Sequence, residues 1–307
     1  MRRLTRCSSN PLITPEDGRG WEAGGTFNPG AAAGNGVIHL LYRAVDKAGT
    51  SRLGYARSLN GGDVTDRSPN PVLEPSADWE EFGCEDPRIT CLNSRFYVTY
   101  TAYSQRGPRI ALASTTDFSH FDKHGIVGPD LNDKDCVLFP ELIRGEVALL
   151  HRVEGRIQVA YFKSIEELEN AQHYWKEYLK NIQNFEVIKP KFYWETRKVG
   201  AGPPPIRTGS GWLVIHHGVS TERIYRVGAL LLDLDNPKKV IARTREPILE
   251  PETDFEKQGV VPNVVFPDGA VVHEGTLFVY YGGGDRVCCA ASVPLDEFVE
   301  DLEKEEP

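Results

Sequence analysis

An excess of positive charge, long apolar runs and paired cysteines are all missing from this chain. Its 307 residues hold 35 Lys+Arg against 44 Asp+Glu, a formal net charge of −9, which argues against bulk binding to nucleic acid or anionic membrane. No apolar stretch approaches the roughly 20 residues that cross a bilayer. Met1-Arg2-Arg3-Leu4-Thr5-Arg6-Cys7 turns polar with no apolar core behind it, so no secretory signal and a cytoplasmic location are expected. The 6 cysteines form no C-x-x-C pair, none sits at zinc-ligand spacing, and adjacent Cys288 and Cys289 are poorly placed to bridge each other. Free thiols in a reducing compartment are the expectation. No ligand set for a metal appears either, and no metal or organic cofactor is expected.

What the chain does have is enough apolar material for a core, 40% of its residues, together with 29 Gly and 21 Pro. Short strands with aromatic or His ends recur: 37–43, 96–101, 147–152, 212–217 and 277–282. Each follows a turn-former, and each is followed by a second strand, at 52–57, 109–114, 156–162, 227–232 and 287–293. The pairs lie roughly 50 to 65 residues apart, as blades of a propeller do. The expected fold is therefore all-β, a five-bladed β-propeller, with residues 1–307 forming a single catalytic domain.

A second echo accompanies the strands. Asn10-Pro11-Leu12-Ile13 leads to Trp21-Glu22, Asn70-Pro71-Val72-Leu73 to Trp79-Glu80, and Glu246-Pro247-Ile248-Leu249 to Phe255-Glu256. Prolines so placed suit sheet edges and crossovers. Two segments break the pattern. Ser164-Ile165-Glu166-Glu167 reads as a capping box opening a helix over about 164–181, with Leu168, Trp175, Tyr178 and Leu179 as its apolar contacts. It either covers the propeller's side, the favoured reading, or forms a contact in a homo-oligomer. A short acidic helix is expected in the tail, from Pro294 to Glu305.

Aligning the five repeated strands brings Arg43, Thr101, Arg152, His217 and Gly282 to one level around the axis. Cations at such a crowded centre need a partner, because an unpaired buried charge costs several kcal/mol. Either an acidic side chain or a bound anion would serve. Carboxylates are near at hand in Glu85-Asp86-Pro87-Arg88 and in Gly282-Gly283-Gly284-Asp285. Lys134-Asp135 precedes the third repeat, and the segment from Lys198 to Pro205 lacks the Gly-Lys-Ser/Thr ending of a P-loop. Asp86 could cap a turn, Arg43 could pair with Glu85 or Asp86, and His217 could be a core histidine; joint convergence is what favours a site.

Phe27-Asn28-Pro29, Leu41-Tyr42-Arg43-Ala44, Glu85-Asp86-Pro87-Arg88-Ile89, Leu138-Phe139-Pro140-Glu141, Lys198-Val199-Gly200-Ala201-Gly202-Pro203-Pro204-Pro205-Ile206, His217-Gly218-Val219 and Tyr281-Gly282-Gly283-Gly284-Asp285 together resemble glycoside hydrolase family 130. That family comprises inverting β-mannoside phosphorylases and related β-mannosidases, and its fold is a five-bladed propeller. The resemblance implies that Asp86 is the general acid, acting through the sugar's own 3-hydroxyl. It implies that Asn28, Arg43 and Asp285 hold the mannosyl ring, and that Arg152, Lys198 and His217 bind inorganic phosphate. Lys134 and Asp135 fall where further substrate contacts are found, and His216 stands where many members carry Tyr, which implies a difference on the phosphate or acceptor side. An inverting hydrolase needs two carboxylates about 6.5–9.5 Å apart, whereas a phosphorylase needs one acid and cations for the phosphate. The implied activity is cleavage of a β-mannoside or manno-oligosaccharide by phosphate to α-mannose 1-phosphate, in either direction. The alternatives are an inverting β-mannosidase, with Glu141 or Glu222 as base, and a non-catalytic carbohydrate-binding propeller.

Overall fold

A computed structural model describes all residues, Met1–Pro307. The chain opens with a short strand, β1 (Thr5–Arg6), and then builds five antiparallel units. The first contains β2 (Gly25–Gly34), β3 (Val37–Val45), β4 (Ser51–Ser58) and β5 (Asp66–Arg67). The second contains β6 (Gly83–Leu92), β7 (Arg95–Ser104), β8 (Gly107–Thr115) and β9 (Asp122–Ile126). One parallel bridge, Ser51 to Gly83, joins these two into a continuous sheet. The third contains β10 (Lys134–Leu138), β11 (Val147–Val153), β12 (Arg156–Phe162) and β13 (Glu186–Ile188). In the fourth, β14 (Lys198–Ala201) and the short β15 (Ile206–Arg207) both pair with β16 (Trp212–Val219), followed by β17 (Tyr225–Leu232) and β18 (Val240–Arg243). The last contains β19 (Val265–His273), β20 (Thr276–Gly283) and β21 (Val287–Pro294), and it is completed by β1, with Thr5 opposite Ser292. No helix is long and apolar enough to cross a membrane.

The recurring apolar strands of the sequence are β3, β7, β11, β16 and β20, the second strand of each unit. They read as nearly unbroken apolar runs because both faces are buried. In β3, Leu41 packs toward the second unit while Leu40 and Tyr42 pack toward the fifth. Five apolar clusters fill the spaces between neighbouring units, one of them between the fifth and the first, so the sheets close into a propeller. At the centre the first strands touch backbone to backbone. A Cβ on Gly30 of β2 would come within 2.2 Å of the Pro87 carbonyl oxygen of β6, which is why no side chain fits there.

The Trp-Glu echo has a structural meaning that the sequence alone did not reveal. Glu22, Glu80 and Glu256 are fully buried and each accepts a hydrogen bond from the aromatic at the same level of the second strand: Tyr42 at 2.9 Å, Tyr100 at 2.6 Å and Tyr281 at 2.8 Å. Each also meets a cation from the outermost strand, Arg67, Lys123 and Arg6 respectively. A fourth copy, Trp194-Glu195, escaped the sequence reading; its Glu195 pairs with Arg243 at 2.6 Å and faces His216 at 3.6 Å. The third unit substitutes Asp133 and His151, joined at 2.7 Å. The four glutamate clamps each tie the segment entering a unit to its second and outer strands. His216 thus belongs to this framework, buried against Glu195 and Trp194, and the expected effect on the phosphate or acceptor side has no geometric basis.

The helical insertion is two helices rather than one, α1 (Ile165–Glu169) and α2 (Gln172–Lys180), because Asn170 caps the first with its N–H on the Glu167 carbonyl. Ser164 accepts from the Glu167 N–H as a capping residue should, but the Glu167 side chain turns to the Lys163 N–H and leaves the box incomplete. Leu168, Trp175 and Tyr178 are buried, Trp175 Nε1 donates to the Val127 carbonyl, and Tyr178 Oη bonds His151, so the insertion covers the side of the second and third units. Two helices remain: α3 (Asp254–Lys257), one turn bearing Glu256, and the tail helix α4 (Leu295–Leu302), shorter than the expected 294–305.

Candidate active site

The side chains at the centre are presented by a feature repeated on the first strands. The ladder slips between Phe27 and Gly30 in β2, between Glu85 and Arg88 in β6, and between Lys134 and Val137 in β10. In each bulge one polar residue adopts left-handed backbone: Asn28 at φ 50°, Asp86 at 52° and Asp135 at 56°. Asn and Asp tolerate that conformation better than other residues with a side chain. A bulge re-aims a side chain, and three on neighbouring units aim at one place. The β20–β21 turn adds Asp285, also left-handed at φ 50°.

The result is a cavity of about 120 Å³ lined by Asn28, Arg43, Asp86, Lys134, Asp135, Arg152, Lys198, Tyr225, Phe266 and Asp285. Eight of the nine residues singled out from the sequence meet in it. The ninth, His217, stands behind the lining: it is fully buried, its Nε2 lies 3.3 Å from Arg152 Nη1, and its ring packs on Phe266 at 4.5 Å between centroids. Burial, with Arg152 and Lys198 nearby, pushes the His217 pKa well down, so it is neutral and contributes no cation. Glu141 pairs with Arg207 with both side chains about half exposed, and Glu222 lies in an exposed turn; neither reaches the cavity.

Two charged clusters divide the cavity. In the first, Asp86 Oδ1 accepts from Asn28 Nδ2 at 2.8 Å and from Arg43 Nη1 at 3.3 Å. Arg43 also grips Glu85 at 2.6 Å, and Lys134 lies 3.2 Å from Glu85 and 3.8 Å from Asp86. Burial alone would raise the Asp86 pKa, but Arg43, Lys134, Arg88 and the Asn28 hydrogen bond outweigh it and hold the carboxyl below its ordinary value. Asp285 goes the other way: burial pushes it up to about 6, against the pull of Arg43.

In the second cluster, Arg152 Nη1 meets Asp135 Oδ2 at 2.6 Å, and Lys198 lies with its ammonium 5.1 Å over the Tyr225 ring. Burial would raise Asp135 as well; Arg152, with Arg88 and Lys198, keeps it well below the usual carboxylate range. The space this carboxylate occupies explains Gly200, whose Cβ would stand 2.1 Å from Asp135 Oδ2. No carboxylate is in ion-pair contact with Lys198, and burial, reinforced by Arg152, lowers its pKa to about 8. Between the clusters lies Arg88, 1% exposed, donating to the Asp86 carbonyl at 3.0 Å and meeting Asp135 at 3.2 Å and Asp268 at 2.7 Å.

Sequence reasoning missed Tyr225, Phe266 and the central place of Arg88. Phe266 was findable, since Phe266-Pro267 echoes Phe27-Asn28-Pro29 on the equivalent strand. Tyr225 carries no such signal. Chemically, the arrangement offers a hydrogen-bonded carboxyl group in one cluster and, in the other, cationic side chains with one ammonium that no carboxylate pairs.

Comparison with known proteins identifies the family. A family model described as beta-1,4-mannooligosaccharide phosphorylase matches residues 9–304. The chain is 40% identical to the 1,2-beta-oligomannan phosphorylase of Thermoanaerobacter sp. (strain X514), over 97% of this chain and 99% of the relative. It is 38% identical to a beta-1,2-mannobiose phosphorylase of the same organism, over 93% and 95% of the two chains. The structure of the Listeria innocua beta-1,2-mannobiose phosphorylase in complex with beta-1,2-mannobiose superposes with a TM-score of 0.84 at 29% identity, covering 98% of this chain and 99% of that one. A propeller whose inner bulges aim Asn28, Asp86 and Asp135 into one cavity, matched from end to end by these proteins, belongs to glycoside hydrolase family 130.

Proposed function

We propose that the protein is an inverting β-mannoside phosphorylase that cleaves β-1,2-linked manno-oligosaccharides with inorganic phosphate and releases α-mannose 1-phosphate. The observation that carries this reading is the second cluster. Arg152 and the unpaired Lys198 form an anion seat on the third and fourth units, apart from Asp86 on the second. A hydrolase would place a second carboxylate free to activate water there. The carboxylate present, Asp135, is instead held by Arg152 and Arg88. The linkage follows the relatives at 38–40% identity, both named for β-1,2 substrates.

In the proposed reaction, Asn28, Arg43 and Asp285 hold the mannosyl ring over Asp86, and Lys134 steadies Glu85 and Asp86. Arg152 and Lys198 hold phosphate behind the anomeric carbon, with His217 and Asp135 fixing the Arg152 guanidinium. A phosphate oxygen bonds to C1 as the glycosidic C1–O bond breaks. The electron pair leaves on the glycosidic oxygen, which takes the proton of the sugar's 3-hydroxyl while Asp86 replaces that proton. Phosphate is a co-substrate, and charge building on the leaving oxygen is met by proton transfer.

The test is to supply β-1,2-mannobiose with and without phosphate. Phosphate-dependent formation of α-mannose 1-phosphate and mannose is expected. Release of mannose alone at an equal rate without phosphate would overturn the reading, and turnover restricted to β-1,4-linked substrates would overturn the linkage. A pH profile provides a second check. Lys198 loses its positive charge as pH rises through about 8, so kcat/KM for phosphate falls above that point. Asp285 gains a proton as pH falls through about 6, so kcat/KM for the mannoside falls below it. In Lys198→Met the alkaline limb should vanish; a limb that persists unchanged assigns it elsewhere.

A further inference from the structure

The cavity is small for an oligosaccharide, at about 120 Å³ against the several hundred Å³ of ordinary ligand pockets. It takes the reacting ring and leaves the rest of the glycan on the rim. In-line displacement with inversion puts nucleophile and leaving group on opposite faces of the anomeric carbon. The acid stands on the leaving side, so the glycan departs over the unit that carries Asp86, the second.

At that edge lie two exposed aromatics in contact with each other. Phe82 and Tyr103 are each 38% exposed, and their rings meet edge to face at 5.4 Å between centroids. They are pinned by backbone: the Phe82 N–H donates to the Tyr103 carbonyl at 2.8 Å, and Ser51 N–H donates to the Phe82 carbonyl. The pair is continuous with the cavity, since the Lys134 ammonium lies 6.0 Å from the Tyr103 ring centroid and 3.8 Å from Asp86. Three residues, Gly83 to Glu85, separate Phe82 from Asp86, and the four chain steps between them reach roughly 13 Å, farther than one pyranose ring spans. Both side chains stay in solvent beside a sugar site, whereas Tyr100 and Phe118 of the same unit are buried. Exposed apolar patches next to a cleft mark ligand contacts.

We propose that Phe82 and Tyr103 form an aromatic platform for the second sugar beyond the scissile bond, so that this edge reads glycan length. The occupant is a pyranose of the same β-mannoside chain, whose apolar C–H face lies on the rings while its hydroxyls stay in water. The inference rests on the function proposed above. It assigns a chain-length determinant outside the cavity, on residues that no catalytic step uses.

The experiment compares Phe82→Ala, Tyr103→Phe and the double variant Phe82→Ala/Tyr103→Ala with the unaltered enzyme. The readouts are phosphorolysis of β-1,2-mannobiose and β-1,2-mannotriose, and calorimetric binding of mannotriose without phosphate. In the double variant, kcat/KM for the trisaccharide falls on the order of tenfold relative to that for the disaccharide, and mannotriose affinity falls in parallel. Tyr103→Phe keeps the ring and keeps the length preference; Phe82→Ala loses part of it without touching Lys134. Equal losses for both substrates, or no loss of mannotriose affinity, would overturn the platform. If phosphate supports no turnover in the unaltered enzyme, the functional reading falls; mannotriose binding that still weakens in the double variant then leaves the platform standing.

Discussion

Asp86→Asn is expected to lower phosphorolytic turnover by about 10²–10⁴-fold, the usual weight of a general acid, while the propeller still folds. The fold survives because Asn accepts the left-handed backbone at φ 52° and keeps an oxygen for the Asn28 Nδ2 hydrogen bond. Arg43 keeps Glu85 as a partner at 2.6 Å, so no buried cation is stranded. The loss appears in kcat, because an amide has no proton to supply to the leaving oxygen. Near-normal turnover would remove Asp86 as the acid. The chemistry carries a further consequence. In the free protein Arg43, Lys134 and Arg88 hold the Asp86 carboxyl below its ordinary value, so in the proposed mechanism it takes up a proton once substrates bind. Phosphate brings negative charge onto Arg152 and Lys198, and a bound sugar displaces water; both changes favour the neutral carboxyl. In the proposed mechanism the acid becomes competent when both substrates are in place.

The second large effect is on phosphate. Arg152→Ala should reduce kcat/KM for phosphate by about 10²–10³-fold, comparable with removing one preorganised donor to a developing anion. The change should fall on phosphate KM far more than on mannoside KM. Arg152 also compensates Asp135 at 2.6 Å, so this variant loses stability as well, with Arg88 left as the partner of that carboxylate. Lys198→Met lessens the complication, since no carboxylate is in ion-pair contact with Lys198 and Arg152 and Arg88 still hold Asp135. It should weaken phosphate use with little change in melting temperature. Arg152→Lys keeps the charge but not the two-pronged donor, and is expected to recover only part of the activity. A change confined to mannoside affinity in any of these variants would contradict the assignment.

The parts of the molecule legible in the sequence are those with a local signature. The second and third strands of each unit are apolar on both faces, and their recurrence shows through any variation in the loops. The first strands were not legible as strands. Phe27-Asn28-Pro29 and Glu85-Asp86-Pro87 look like turns, and their bulges are visible only once the partner strand is in place. The same bulges aim Asn28, Asp86 and Asp135 inward, so the site was found through family motifs and strand alignment. Trp194-Glu195 went unrecognised because no Pro-aliphatic segment precedes it as in the other copies. The alignment of His217 with Arg43 and Arg152 suggested a cation, but charge state depends on burial, which the chain order does not disclose. Tyr225 enters the cavity purely through the packing of the fourth unit against the fifth.

A structure of Asp86→Asn with β-1,2-mannobiose and phosphate bound would test the account most directly. Phosphate is predicted to contact the Arg152 guanidinium and the Lys198 ammonium, with the anomeric carbon between it and residue 86. Phosphate bound elsewhere, or a mannosyl ring occupying the Arg152 and Lys198 seat, would contradict it.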